Sequence, residues 1–475
     1  MSNNQDYYLE VKGTAIDGNY ADSLPSHLYS ELKGWVGLSL LSLAIAGFMA
    51  LFIAFLRVPF AQNILNFDTQ GIFEKGLITH VTFAFVIWYF SIHGALTILV
   101  SGKNEASGKM SSFFGFVALF FAYASIPLLL IPNFLNIGLP SPNNYIPIVI
   151  HPFFFAGLSC LTIALSIIIL RLFFNVFFDT NTESAKFGIV SSGVIFFISL
   201  VCLSIAFLSL DPVQNTFEKS EQVFWGMGHV TQFSNILLMF VAIQMISRMN
   251  FGVSPLSERN FKILSCFMVA GASIGPMIYF TSSFDSSEQI SAFTNLYWYV
   301  LPLPIVWFVT STIFLLLKNV SPLRFMTPEI ICLWITILLF SLGGFIGFFG
   351  GFSDTRTPAH YHAMLVAVTL VFMSLNFGLF FPLLRAQMPN SIWRIITYIF
   401  LGAGQILHSF GLYWAGLYGI PRKVSVGMQI FDNPNEILSL SFMGFGGLMA
   451  VVGGALFTIM SLYCFFKIPK GVGET

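Results

Sequence analysis

Charge is scarce in this chain. Only 9% of its 475 residues are Asp, Glu, Lys or Arg, where a soluble domain carries about 25%. The 21 basic and 21 acidic residues cancel, so no net field draws in a polyanion, and the composition excludes a soluble enzyme, a disordered chain and a nucleic-acid partner. The five cysteines, Cys160, Cys202, Cys266, Cys332 and Cys464, stand far apart inside apolar runs, with no Cys-x-x-Cys. Zinc ribbons, iron–sulfur clusters and covalently attached haem are therefore not signalled. Residues 1–33 are polar and contain no apolar core, so no cleaved signal peptide is expected. Internal repeats and long soluble inserts are also lacking.

What the chain has is apolar length. Hydrophobic residues make up 56%, including 56 phenylalanines. Apolar runs long enough to cross a bilayer fall near 34–57, 76–101, 110–132, 146–170, 187–210, 223–247, 261–283, 294–317, 329–352, 360–384, 392–416 and 437–466. The fold class expected is an all-α membrane protein of twelve transmembrane helices in contact with membrane lipid. A polar tail (1–33) precedes one membrane domain (34–467), and a short tail (468–475) follows. Of the 21 lysines and arginines, fifteen lie on the side holding the N-terminus, the even-to-odd connections and the C-terminus. The positive-inside rule places both termini in the cytoplasm.

Histidine is the chemistry-bearing residue of the spans. His80, His151, His229, His360, His362 and His408 all fall toward the outer ends of their helices. His93 lies about 20 Å deeper than His80 and reads as a packing or hydrogen-bonding residue. His27 reads as a solvated residue of the N-terminal tail. Intramembrane carboxylates to pair with the layer are almost absent, and clustered imidazoles in such a place point to metal or haem ligation. His360 and His362 are two residues apart, hence about 200° apart on a helix. They cannot grip one metal from one helical face, but they suit two cofactors on opposite sides of the helix.

Four stretches resemble subunit I of the haem-copper oxidase superfamily. FEKGLITHVTFAFVIW around His80 is similar to the helix 2 motif that carries a low-spin haem ligand. FWGMGHVTQF, with Trp225 four residues before His229, resembles the helix 6 motif whose histidine binds the distal metal. PAHYHAMLVAVTLVFM resembles the helix 10 motif. GQILHSFGLYWAGLYGIPRK resembles the helix 11 region that ends in two basic residues, here Arg422 and Lys423. The resemblance implies a twelve-helix bundle with two haems. His80 and His362 would ligate the low-spin haem and His360 the high-spin haem. His229 would face the high-spin iron's open side, and Arg422 and Lys423 would pair with propionates. His408 matches a family histidine that is not an iron ligand. His151 matches no motif and reads as a cap or hydrogen-bonding residue at the entrance of helix 4, or as one that approaches a propionate. The compact form looks like small prokaryotic members, in a bacterial inner membrane.

The sequence also departs from that family. No histidine occurs between His229 and His360, so the helix 7 His-His pair that holds the distal copper is missing. Ser282 and Ser283 stand in that stretch, followed by Asp285 and Glu288. One imidazole is a weak copper site, which weighs against a retained copper. The family's helix 6 tyrosine is replaced by Phe233, leaving Tyr279 on helix 7 as the candidate catalytic tyrosine beside His229. Helix 6 has no core carboxylate and helix 8 no core lysine. Thr310, Ser311 and Thr312 with Tyr299 offer hydroxyls that with water would carry protons, but they read first as polar packing between helices.

The function these readings imply is a terminal oxidase, a cytochrome c oxidase-like oxidoreductase. It would pass electrons from cytochrome c or quinol through the low-spin haem to O2 at the high-spin haem, alongside other oxidase subunits. The alternative is a divergent dihaem membrane protein without distal copper, serving electron transfer, gas sensing or nitric oxide chemistry with another diatomic gas.

Overall fold

The structure is a computed structural model, and it describes residues 26–56, 69–101, 108–143, 146–177, 183–210, 219–319, 327–349, 354–422 and 433–468. Its described residues form twelve helices long and apolar enough to cross a membrane. They are α1 (Ser26–Leu56), α2 (Thr69–Val81, a π-helical Thr82–Ile87, then Trp88–Ser101), α3 (Gly108–Phe134), α4 (Pro152–Phe177), α5 (Ser184–Leu208) and α6 (Ser220–Phe251). There follow α7 (Glu258–Thr281), α8 (Ser287–Asn295, a π-helical Leu296–Val300, then Pro302–Asn319) and α9 (Pro328–Phe348). The last three are α10 (Arg356–Leu375, a π-helical Asn376–Phe380, then Phe381–Leu383), α11 (Ser391–Leu417) and α12 (Pro434–Phe466). The twelve-helix expectation holds. A small antiparallel ribbon, β1 (Leu139–Ser141) with β2 (Ile148–Ile150), sits in the α3–α4 connection.

The helices form because a bilayer interior offers no water to backbone groups, so each amide must be satisfied within its own segment. Several begin before the apolar run that announces them: α1 at Ser26, α8 at Ser287 and α12 at Pro434. Their first turns are polar and belong to the interface, where side chains cap the free amides. Ser257 accepts from the Asn260 amide, Ser286 from Gln289, Asn390 from Ile392 and Asn433 from Asn435.

The helices fall into two compact units. The first holds α2 to α7 with most of α1 and α8; the second holds α9 to α12 with the remaining ends of α1 and α8. In the first unit α3 packs on α4, α5 on α6 and α7, and α2 on α4. In the second, α9, α10 and α11 pack mutually and α12 covers α11. The most enclosed spans are α6, α2 and α10, with 89%, 83% and 72% of the apolar window buried, against 28% for α12. These three helices carry His229, His80 and the His360/His362 pair, so the candidate ligands ride on interior helices rather than lipid-facing ones.

Small residues set the closest packing. Gly404 and Gly411 of α11 and Gly446 and Gly453 of α12 each sit where a Cβ would strike the partner's backbone. The seven-residue spacing keeps them on one face of each helix, the small-residue contact used between membrane helices. Each unit also buries one ion pair. Glu31 and Arg171 meet at 2.5 Å with side chains 0% and 5% exposed, and Arg171 Nη1 also donates to the Ser111 carbonyl at 2.7 Å. Gly115 makes this possible, because a side chain there would occupy the Glu31 carboxylate's place. In the second unit Arg394 donates to Glu329. Removing one partner strands a buried charge. Glu31→Gln is expected to destabilise the first unit by about 3–5 kcal/mol, read as a fall in the thermal unfolding midpoint in detergent. An unchanged midpoint would mean that the pair is solvated and energetically neutral.

Candidate functional site

Four of the outer histidines share one anchoring device. His80 Nδ1 lies 2.9 Å from the Ala46 carbonyl of α1. His229 Nδ1 lies 2.8 Å from the Trp225 carbonyl one turn earlier on α6. His360 Nδ1 is 2.7 Å from the Gly343 carbonyl of α9, and His408 Nδ1 is 2.8 Å from the Met443 carbonyl of α12. A carbonyl oxygen only accepts, so Nδ1 must carry the proton in each case. A neutral imidazole in that tautomer has its lone pair on Nε2, the arrangement of a metal-ligating histidine with an oriented ring.

Glycine opens the way to two of these carbonyls. The residue one turn beyond Gly343 is Gly347, and a Cβ there would land on the His360 ring. The residue one turn beyond Met443 is Gly447, where a Cβ would come 3.1 Å from His408 Nδ1. In both, the imidazole reaches a helix carbonyl from the side because the next turn presents no side chain.

His360 and His362 part company as their spacing requires. His360 turns to α9, whereas His362 meets His408 of α11 edge to face, with ring centroids 4.9 Å apart at 68°. His229 is 1% exposed and is enclosed by rings. Trp225 lies at 4.8 Å, Tyr297 at 4.7 Å and Phe293 at 5.8 Å between centroids. Tyr297 also donates its hydroxyl to the His229 carbonyl at 3.1 Å. Tyr297 belongs to a π-helical segment, and another π segment follows His80 directly. Such insertions re-aim side chains and gather at functional places. Tyr279 is one layer away: its ring meets Phe293 at 5.3 Å, and its hydroxyl lies buried against Gly226, one turn before His229.

The remaining histidines play other parts. His151 caps α4, its Nδ1 accepting from the Phe153 amide at 3.3 Å, which fixes the opposite tautomer from the anchored four. His93 is buried, with Nε2 lacking a hydrogen-bond partner. His27 has no described side chain, and Lys423 lies outside the described residues. The α8 hydroxyls divide between surface and interior, with Thr312 buried. Tyr299 is 77% exposed, and Thr310 is exposed and bonded to its own helix through the Val306 and Trp307 carbonyls. Asp285 is paired with Lys219. Among the described residues no group of three or more His, Cys, Asp or Glu side chains stands close enough to hold a metal ion.

Arg422 sits in a built corner of the second unit. Asp354 bridges to Pro421 through the backbone, and the Thr355 amide donates to the Ile420 carbonyl at 3.1 Å. Arg356 grips the Asp354 carboxylate through Nη2 at 2.7 Å and Nε at 3.0 and 3.1 Å. That hydrogen bonding holds the Asp354 carboxyl below its ordinary pKa, with the charges of Arg356 and Arg422 adding to it. The sequence reading missed Asp354, Arg356, Tyr297, Gly347 and Gly447. The signal for the glycines was their position one turn beyond an accepting carbonyl, visible only once the acceptor is known.

No family model matches the chain. A protein of Rickettsia prowazekii (strain Madrid E), named only as uncharacterised, is 25% identical over 91% of this chain and 95% of its own length. An uncharacterised protein of Aquifex aeolicus (strain VF5) is 27% identical over 72% of this chain and 83% of its own. Among solved structures, a heme-copper terminal oxidase determined as a dimer by cryo-EM matches with a TM-score of 0.72 at 16% identity, covering 95% of this chain and 86% of that one. The fold is thus that of a haem-copper oxidase subunit I-like bundle.

Two outcomes follow from this geometry. Gly347→Ala should push the His360 ring off the Gly343 carbonyl and destabilise the second unit by about 1–3 kcal/mol; a wild-type melting temperature would show that the ring has room to shift. Asp354 has a folded pKa below its unfolded value of about 3.9. Its contribution is therefore present above that value and lost as pH falls through the folded one. Exchange protection of the Thr355 amide should collapse only in that acid range, and Asp354→Asn should abolish the dependence. Protection that titrates alike in both proteins would contradict this.

Proposed function

We propose that this chain is the haem-carrying catalytic subunit of a respiratory terminal oxidase in a bacterial cytoplasmic membrane, taking electrons from cytochrome c or quinol and delivering them to O2. The observation that carries the reading is the carbonyl anchoring of Nδ1 at His80, His229 and His360, which puts a lone pair on Nε2 of one buried imidazole, His229, and two half-buried ones. This donor set fits porphyrin iron, which asks for one oriented imidazole per axial position rather than a cluster. On the motif matches, His80 and His362 are assigned to a low-spin haem, His360 to a high-spin haem, and Arg422 and Lys423 to propionates. Iron porphyrin, when bound, supplies one-electron chemistry and an open position for a diatomic ligand.

The chain's own residues prepare that chemistry. The Gly343 carbonyl keeps His360 Nδ1 protonated and so makes Nε2 a stronger donor. His408, itself pinned to α12, lies against the His362 ring and limits its rotation. Trp225, Phe293 and Tyr297 exclude water around His229 and fix its plane. Arg422 places a cation where a carboxylate would be met, with Asp354 and Arg356 holding its loop.

The alternative, a dihaem protein without distal copper, is favoured by a specific observation. His229 is ringed by aromatics rather than by further imidazoles, and copper held by imidazole takes about three. These donors do not fit copper. Visible spectroscopy with iron and copper analysis of purified protein separates the readings. Haem with copper favours the oxidase; haem without copper favours the alternative; a colourless, correctly folded preparation overturns both. His362→Ala is expected to remove the low-spin absorption band and leave the high-spin carbon monoxide complex in place. An intact low-spin band would overturn that assignment.

A further inference from the structure

The second unit contains a polar stripe that the histidine chemistry does not use. Arg394, Tyr398, Gln405 and Ser409 occur along α11 at intervals that place them within about 60° of one another around the helix, over a rise of about 22 Å. All four are buried, between 0% and 5% exposed. The stripe faces α9 and α10: Leu412, on the same side, packs with Ile346 of α9 and Ala359 of α10, and a Cβ on Gly402 would meet Ile335 of α9. One end is the buried Glu329–Arg394 pair, where α9 and α11 begin. Next along, Tyr398 neighbours Cys332 and Ser374, whose hydroxyl is turned toward both. The other end reaches the turn of α11 that carries His408.

The Tyr398 and Ser374 hydroxyls face one another, yet the polar groups of the seam are not fully satisfied. The Tyr398 hydroxyl, Ser374 Oγ, Gln405 Nε2 and Ser409 Oγ are all buried with no partner at hydrogen-bonding distance. An orphaned buried polar atom loses its hydration without compensation, and apolar side chains would pack this face without that cost. Several orphans aimed into one interface are the mark of buried water, which bridges such groups with two to four hydrogen bonds each.

We propose that the α9–α10–α11 seam holds a file of water molecules and serves as a proton path from the Glu329–Arg394 end to the histidine layer. The hydration stands on the orphaned groups alone, while the proton role rests on the oxidase reading. Reducing oxygen to water consumes one proton for each electron delivered, and a water file through the seam would supply them. In the seam, each water or hydroxyl accepts a proton on one side and releases another on the far side. Tyr398 and Ser374 therefore finish a transfer in the protonation state in which they began, and nothing is oxidised. The charge distribution of the connections puts the Glu329–Arg394 end at the cytoplasmic face, the side from which such protons would be drawn.

Two measurements on the full-length protein test this. In radiolytic footprinting, bound water is the source of the radical that labels a buried side chain. Tyr398, with no exposed surface, is expected to be labelled, while Phe240, stacked on Phe308 in an apolar core, is not. Tyr398→Phe keeps the ring and removes the hydroxyl, so the fold should survive. Proton uptake during turnover in reconstituted vesicles should slow about tenfold or more, with low-spin haem reduction by the donor unchanged. Gln405→Leu should act in the same direction. An unlabelled Tyr398 would overturn the hydrated seam. A labelled Tyr398 with wild-type proton uptake in Tyr398→Phe would overturn the path. A folded protein without haem would remove the oxidase reading and the proton role together, and the labelling would still decide whether water fills the seam.

Discussion

An imidazole inside a lipid-embedded bundle needs a partner for its N–H, and the partner it takes fixes which nitrogen is left to do chemistry. Here the partner is a helix carbonyl. His80, His229, His360 and His408 all hand Nδ1–H to one, and all four are thereby held with the lone pair on Nε2. A helix carbonyl already serves its own ladder, so a second donor must approach from the side. At His360 and His408 that approach exists because Gly347 and Gly447 leave the next turn bare. His151 supplies the contrast. It sits at an interface, accepts an amide at Nδ1 and ends as a cap. The same residue type becomes a candidate ligand or a structural plug according to whether its neighbour is a carbonyl or an N–H.

The same rule sorts the other buried polar groups. Charges are kept to helix ends and paired: Glu31 with Arg171 and Glu329 with Arg394. Desolvating an ion is far more expensive than desolvating a hydroxyl, so pairing is obligatory for the first and water suffices for the second. Helix interiors accordingly carry hydroxyls, thiols and amides. Many of these bond back to their own helix, as Ser91 does to Ile87 and Thr231 to Met227. The α11 stripe stands apart because the Tyr398 hydroxyl and Gln405 Nε2 make no such bond to their own helix.

Much of this was legible in the sequence. Twelve spans follow from apolar length alone, since a bilayer leaves few other solutions, and the histidines announced themselves by their cost. The two-residue spacing of His360 and His362 correctly implied different neighbours. What was not legible depends on contacts between distant segments. Ala46, Gly343 and Met443 carry no signal, because any residue offers a carbonyl. Tyr297 was hidden because it reaches His229 through a π segment that breaks the helical register on which face assignments depend. Nor does composition say where a hydroxyl is satisfied: Thr310 bonds to its own helix and so can face lipid. The starts of α1 and α8 lay outside the apolar windows because capping turns belong to the interface.

The ring of aromatics around His229 adds a second constraint to the one its carbonyl supplies. A hydrogen bond at Nδ1 leaves the imidazole free to tilt about that bond, so the plane of the ring must come from packing. Trp225, Phe293 and Tyr297 supply that packing from three sides, and the Tyr297 hydroxyl ties α8 to the His229 carbonyl. The carbonyl bond and the aromatic clamp thus fix the same ring by two means: the Trp225 carbonyl selects the tautomer that leaves the lone pair on Nε2, and the surrounding rings set the plane in which that lone pair lies.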